Sequence, residues 1–122
     1  MKQGEIHLNP AQRQAAGQAM VEMLAEFGIE VIVLSMDAIH FHLIGRFRDG
    51  EVRGRIGRAK KRAFHALQSM GWRGVLWGKR CHVLPIEDRS HQVNAFQYIK
   101  EHVKVGAWVW TFDKGLYWRK SP

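Results

Sequence analysis

Between Ala11 and Phe27 the apolar residues Ala16, Met20, Met23, Leu24 and Phe27 recur at helical spacing, which predicts one amphipathic helix. Asn9-Pro10 is its start, with Asn as the cap and Pro in the first helical position. Gly28 is its stop. Ile29 to Leu34 (Ile-Glu-Val-Ile-Val-Leu) is dense in β-branched residues and predicts a buried strand. Ser35 to Ala38 is the only punctuation before a second strand, so the two strands are expected to be antiparallel. Gly45 to Gly57 carries no sustained period and reads as loop.

A second helix is predicted from Arg58 to Met70, with Ala59, Arg62, Ala63, Ala66, Leu67 and Met70 on one side and Gly71 at its end. Strands are expected within Trp72 to Ile86, around Val75-Leu76-Trp77 and Cys81-His82-Val83-Leu84. Ser90 is the expected cap of a third helix, His91 to about Val105, which Gly106 ends. On that helix Gln92, Val93, Phe96, Ile99 and Val103 share a face, while His91, Tyr98 and His102 share the opposite one. The tail from Ala107 alternates briefly and then turns basic, and Gly4 to Leu8 is a strand end or tail. The whole predicts a single α+β domain over residues 1–122, an antiparallel sheet packed with helices.

The second strand, Ala38-Ile39-His40-Phe41-His42-Leu43-Ile44, carries the first candidate chemistry. Alternation places His40 and His42 on one face, roughly 6–7 Å apart between Cα atoms, and Ile39, Phe41 and Leu43 on the other. Two imidazoles at that spacing can converge on a metal ion. A bare His-x-His is common, however, and by itself more often lines a polar face. His91 is a candidate proton shuttle beside Tyr98, and His65 and His82 read as structural.

Charge changes the picture further. Among 122 residues, 19 Lys+Arg against 11 Asp+Glu leave a net charge of +8 and favour a polyanionic partner. Arg46, Arg48, Arg53, Arg55, Arg58, Lys60, Lys61 and Arg62 crowd one short span and suit a nucleic-acid backbone. A solvated basic surface is the plainer explanation of the same residues. Trp77, Trp108, Trp110 and Trp118 are core or base-stacking aromatics. The single cysteine, Cys81, excludes an intramolecular disulfide and suits a reducing compartment. With neither a signal peptide nor a membrane-spanning apolar run, a cytoplasmic location is expected.

Together, His40-Phe41-His42, Leu76-Trp77-Gly78-Lys79-Arg80 and Tyr98-Ile99-Lys100-Glu101-His102 resemble, in order, the motifs of the HUH single-tyrosine transposases of small bacterial insertion sequences, including the REP-associated tyrosine transposases. The resemblance covers roughly Ala11 to Val109. It implies a ferredoxin-like HUH endonuclease fold, a metal site at His40, His42 and His102, and Tyr98 as nucleophile. It further implies Mg or Mn as cofactor, single-stranded or hairpin DNA as substrate, a homodimer, and a DNA surface that includes Lys79 and Arg80. The expected activity is DNA transposition: cleaving and rejoining a strand through a 5′-phosphotyrosine.

This sequence departs from the family in four places. After Ile29 to Met36, Asp37-Ala38-Ile39 stands in place of a Met-Pro-Asn-like turn, one residue longer and without the proline, and His102 replaces the family's amide ligand. The proline after that ligand is absent, and Gly4 to Leu8 is short for the family's first strand. Three histidines in place of two and an amide shift the preference toward a softer metal than Mg. Two other functions fit the same residues. One is a truncated or repurposed relative that binds DNA or RNA hairpins without cleavage, and the other is a small regulatory metal-binding protein.

Overall fold

The computed structural model describes residues 7–37, 40–47, 50–72, 85–113 and 115–117. The expected strands around 75–77 and 81–84, and with them Trp77, Lys79, Arg80, Cys81 and His82, lie outside the described residues, as do Arg48, Trp118 and most of the 4–8 stretch.

Helix α1 (Pro10–Glu26) begins where Asn9 and Pro10 predict. The Asn9 side chain accepts the Gln12 N–H at 2.8 Å, and the Gln12 side chain accepts the Asn9 N–H at 2.9 Å, a reciprocal capping box. At its other end Gly28, with φ of 76°, turns the chain left-handed. Gly28 then donates to Ala25 and Ile29 to Leu24, closing the last carbonyls.

Strands β1 (Glu30–Met36) and β2 (Phe41–Arg46) form the expected antiparallel hairpin. Ser35 and Met36 belong to β1 rather than to the turn, which closes at Asp37 and His40 instead. The Asp37 carboxylate accepts the His40 backbone N–H, an Asx-type closure. His40 therefore sits at the turn, exposed and outside β2, and not on a strand face beside His42.

Helix α2 (Val52–Gln68) starts six residues before the expected Arg58, and β2 takes in Gly45 and Arg46. Gly54 and Gly57 mask the helical pattern, each being unfavourable by about 1 kcal/mol in a helix interior. Tertiary packing overrides them: Ala59, Ala63 and Leu67 form a buried stripe against α1, and Ile56 is buried one turn earlier. Met70 is off that stripe, past the helix end and 45% exposed.

Helix α3 (Arg89–Lys100) is capped by Asp88, not Ser90, because the Asp88 carboxylate reaches the His91 N–H at 2.8 Å. A 3₁₀ turn, Glu101–Val105, tightens its end before Gly106 at φ 94°. Of the predicted core stripe, Ile99 and Val103 are buried, but Val93 is 51% exposed.

Strands β3 (Trp108–Thr111) and β4 (Gly115–Tyr117) complete a sheet of order β2-β1-β3-β4, antiparallel throughout. The fold is α+β, as the sequence pattern predicts. Central β1 buries Val31 to Met36, because both sheet faces are covered. On one face Leu34, Met36 and Trp108 pack with α1 and α2. On the other, Val33, Ile44 and Val109 pack with Ile99 and Val103. A bulge between Val31 and Val33 adjusts β1 between the two faces.

Candidate active site

Strand alternation sends Phe41 and Leu43 toward the α1 face, and His42 and Ile44 toward α3. Ser35 is the register partner of His42 on β1. The 3₁₀ turn after α3 lowers His102 onto the same spot. The His42 and His102 ring centroids are 4.7 Å apart, with planes tilted by 46°. Tyr98, one turn earlier, stands edge-on to His102 at 5.0 Å and to His42 at 6.5 Å. The Ser35 Oγ lies 3.1 Å from His102 Nδ1. Strand and helix thus bring His42 together with Tyr98 and His102, which lie far from it in the chain.

The rings differ in what they can do. Tyr98 is 66% exposed, so its hydroxyl can meet a large substrate in solvent. His102 is half-buried with Nδ1 engaged, which leaves Nε2 for chemistry. His42 Nδ1 is sealed from solvent with no hydrogen-bond partner. Burial first, and the neighbouring His102 second, push the His42 pKa below its ordinary value. Asp37 partly opposes that shift, and His40 adds to it. A neutral imidazole with an unused buried nitrogen is an expensive inclusion in a core unless it serves a purpose.

His42 and His102 fit a divalent cation by donor type, since both supply imidazole nitrogen and burial keeps His42 deprotonated. Such a pair suits Mn, Co, Ni or Zn better than Mg. His40 is not gathered with them. Among the described residues no three His, Cys, Asp or Glu side chains converge on one point.

His91 does not join the cluster. Its Nδ1 accepts the Glu87 N–H at 3.2 Å, at the start of α3. The basic residues are distributed elsewhere too. Arg46 pairs with Glu30 at 3.2 Å and Arg62 with Glu26 at 2.6 Å. The guanidinium carbons of Arg55 and Arg58 lie 4.4 Å and 5.8 Å from the centre of the Phe27 ring. Arg53 and Lys61 are exposed on α2 and Lys60 is half-buried there. Helix α2 packs with α1, so this basic helix belongs to the sheet face opposite Tyr98. Trp108 is core, and Trp110 is half-buried against the same cluster.

A hollow of about 710 Å³ opens between β2 and the starts of α2 and α3, lined by Leu43, Phe47, Ile56, Ile86 and Gln92 among others. It shares no lining residue with the Tyr98 cluster. Sequence reasoning missed Ser35, although one hydroxyl inside Val-Ile-Val-Leu-Ser-Met is a readable signal: a buried polar group needs a partner. No protein-family model, no curated protein and no solved structure matches this chain.

Proposed function

We propose that the protein is a metal-dependent single-stranded DNA strand transferase that cleaves and rejoins DNA through Tyr98, acting on hairpin ends as a homodimer. The observation that carries this reading is the meeting of an exposed tyrosine with two histidines, at 5.0 Å and 6.5 Å between ring centroids. A surface tyrosine has no packing reason to sit over a half-buried imidazole whose Nδ1 has no partner. A nucleophile beside its electrophile-binding groups does.

The Tyr98 oxygen attacks a backbone phosphorus. A Tyr–O–P bond forms, the P–O3′ bond breaks, and the phenolic proton passes to solvent as the leaving 3′-oxygen takes one up. The products are a 5′-phosphotyrosine and a free 3′-OH. Because one phosphodiester replaces another, a second 3′-OH can reverse the step without ATP. His42 and His102 would hold a divalent cation, which would polarise the phosphate oxygens and offset the charge that builds up on them. The net charge of +8 favours DNA over neutral partners, and the exposed cations of α2 offer a second, sequence-independent backbone contact.

The reading is tested by incubating the protein with single-stranded hairpin DNA and Mn(II), then running a denaturing gel. A covalent protein–DNA band that requires metal is expected. Tight hairpin binding with no band under any metal would instead make the chain a binding module.

A further inference from the structure

Strand β1 buries six consecutive residues, Val31 to Met36, and five of them are apolar. The sixth, Ser35, is 1% exposed. A hydroxyl in such a place is costly unless hydrogen-bonded. Its Oγ lies 3.1 Å from His102 Nδ1, and its register partner across the ladder is His42. One oxygen therefore stands where the two histidines of the site meet.

We infer that Ser35 is a positioning residue: its Oγ accepts a hydrogen bond from His102 Nδ1–H and so keeps the Nε2 lone pair of His102 available to a divalent cation. The inference rests on the metal reading above and deepens it by naming what orients the helix-borne ligand. A neutral imidazole carries one ring proton, so fixing it on Nδ1 makes Nε2 the acceptor. The serine oxygen carries two acceptor lone pairs, so it can accept the His102 N–H. Histidines that ligate metals almost always donate their second ring N–H to an oxygen, which fixes both tautomer and ring orientation. Ser35 supplies that oxygen from β1, a strand paired on both sides and buried from Val31 to Met36. An amide side chain in place of His102 has no tautomer to fix, so it does not need Ser35.

The test uses the full ¹⁵N-labelled chain. Imidazole nitrogen spectra of the metal-free protein are compared for the parent, Ser35→Ala and Ser35→Thr, with His102→Gln assigning the His102 signals among the seven histidines. The parent is expected to carry the His102 proton on Nδ1, Ser35→Ala to move it largely to Nε2, and Ser35→Thr to restore the parent pattern. Calorimetric titration with Mn(II) should then show Ser35→Ala weakening affinity about ten- to a hundredfold. In the His102→Gln background Ser35→Ala should change nothing. An Nε2 proton in the parent, or the same tautomer with and without the hydroxyl, overturns the inference. So does an equal Ser35→Ala effect in both backgrounds, which is what a packing role gives. If the parent shows the Nδ1 proton but binds no Mn(II), the metal reading fails and the ligand-holding role falls with it, so the two failures appear in different arms.

Discussion

The two faces of the sheet are built to different rules. The face under α1 and α2 is built of apolar side chains: Leu24, Met20, Leu34, Met36, Ala59, Ala63 and Leu67 close on one another, with Gly17 seated against Trp108, and its buried polar atoms without partners are the indole nitrogens of Trp72 and Trp108. The face under α3 is smaller and mixed. Beside Val33, Ile44, Ile99 and Val103 it takes in Ser35, His42, His102 and Thr111, and it leaves His42 Nδ1 and Thr111 Oγ1 without partners. The first face supplies stability, and the second gives some of it up to hold polar groups at fixed positions. That division is common where a site is placed on a scaffold rather than used to build it.

The sharpest way to break the comparison is to truncate the dry face. Leu24→Ala empties a fully buried position, and unfolding in urea should show a loss of about 2–5 kcal/mol. A loss below 1 kcal/mol would mean that this face is not the main source of stability.

Gly17→Ala sharpens the same point with an unusual sign. Alanine favours helix over glycine by about 1 kcal/mol. Here its Cβ would fall far inside van der Waals contact with Cε3 and Cζ3 of the buried Trp108 ring on β3. We expect a net loss of about 1–3 kcal/mol from overpacking, read as a lowered Tm. A raised Tm would show that Trp108 can step aside.

His42→Leu probes the other face and should go the opposite way. Removing a buried nitrogen without a partner relieves about 1–3 kcal/mol, so the variant should be as stable as the parent or more so, while losing metal binding. The smallest effect is its pH dependence. With the folded pKa of His42 below 6.5, the unfolded chain takes up the proton first as pH falls. Parent stability should therefore decline from about pH 6.5 downward, level off below the folded pKa, and show that decline less in His42→Leu. Identical pH profiles for the two proteins would remove His42 from the account.

Much of this architecture was legible in the sequence where local signals and packing agree. Asn9-Pro10, Gly28 and the 3.6-residue period define α1, and the β-branched run defines β1. Where they disagree, the pattern misleads. Gly54 and Gly57 hide the first turn of α2, a helix whose buried stripe against α1 begins only at Ala59. The 3₁₀ turn at Glu101 alters the angular step per residue and brings His102 inward while Tyr98 stays out. The length of β1, and hence the place of His40, is set by Asp37 closing the turn, which alternation alone does not encode. Of the site, Tyr98, His42 and His102 were readable as a group only in the light of a family's motif order. Ser35 was readable from the cost of burying a hydroxyl.

The central claim is that Tyr98 takes the DNA phosphate. The most direct test digests the covalent adduct with trypsin and weighs its peptides. The chain has two tyrosines, and cleavage at Arg89, Lys100, Lys114 and Arg119 separates them into Ser90–Lys100 and Gly115–Arg119. The account predicts the nucleotide mass on Ser90–Lys100 at Tyr98, and no adduct from Tyr98→Phe, whose fold and hairpin affinity should match the parent. Mass on Gly115–Arg119, or an undiminished adduct from Tyr98→Phe, would contradict it.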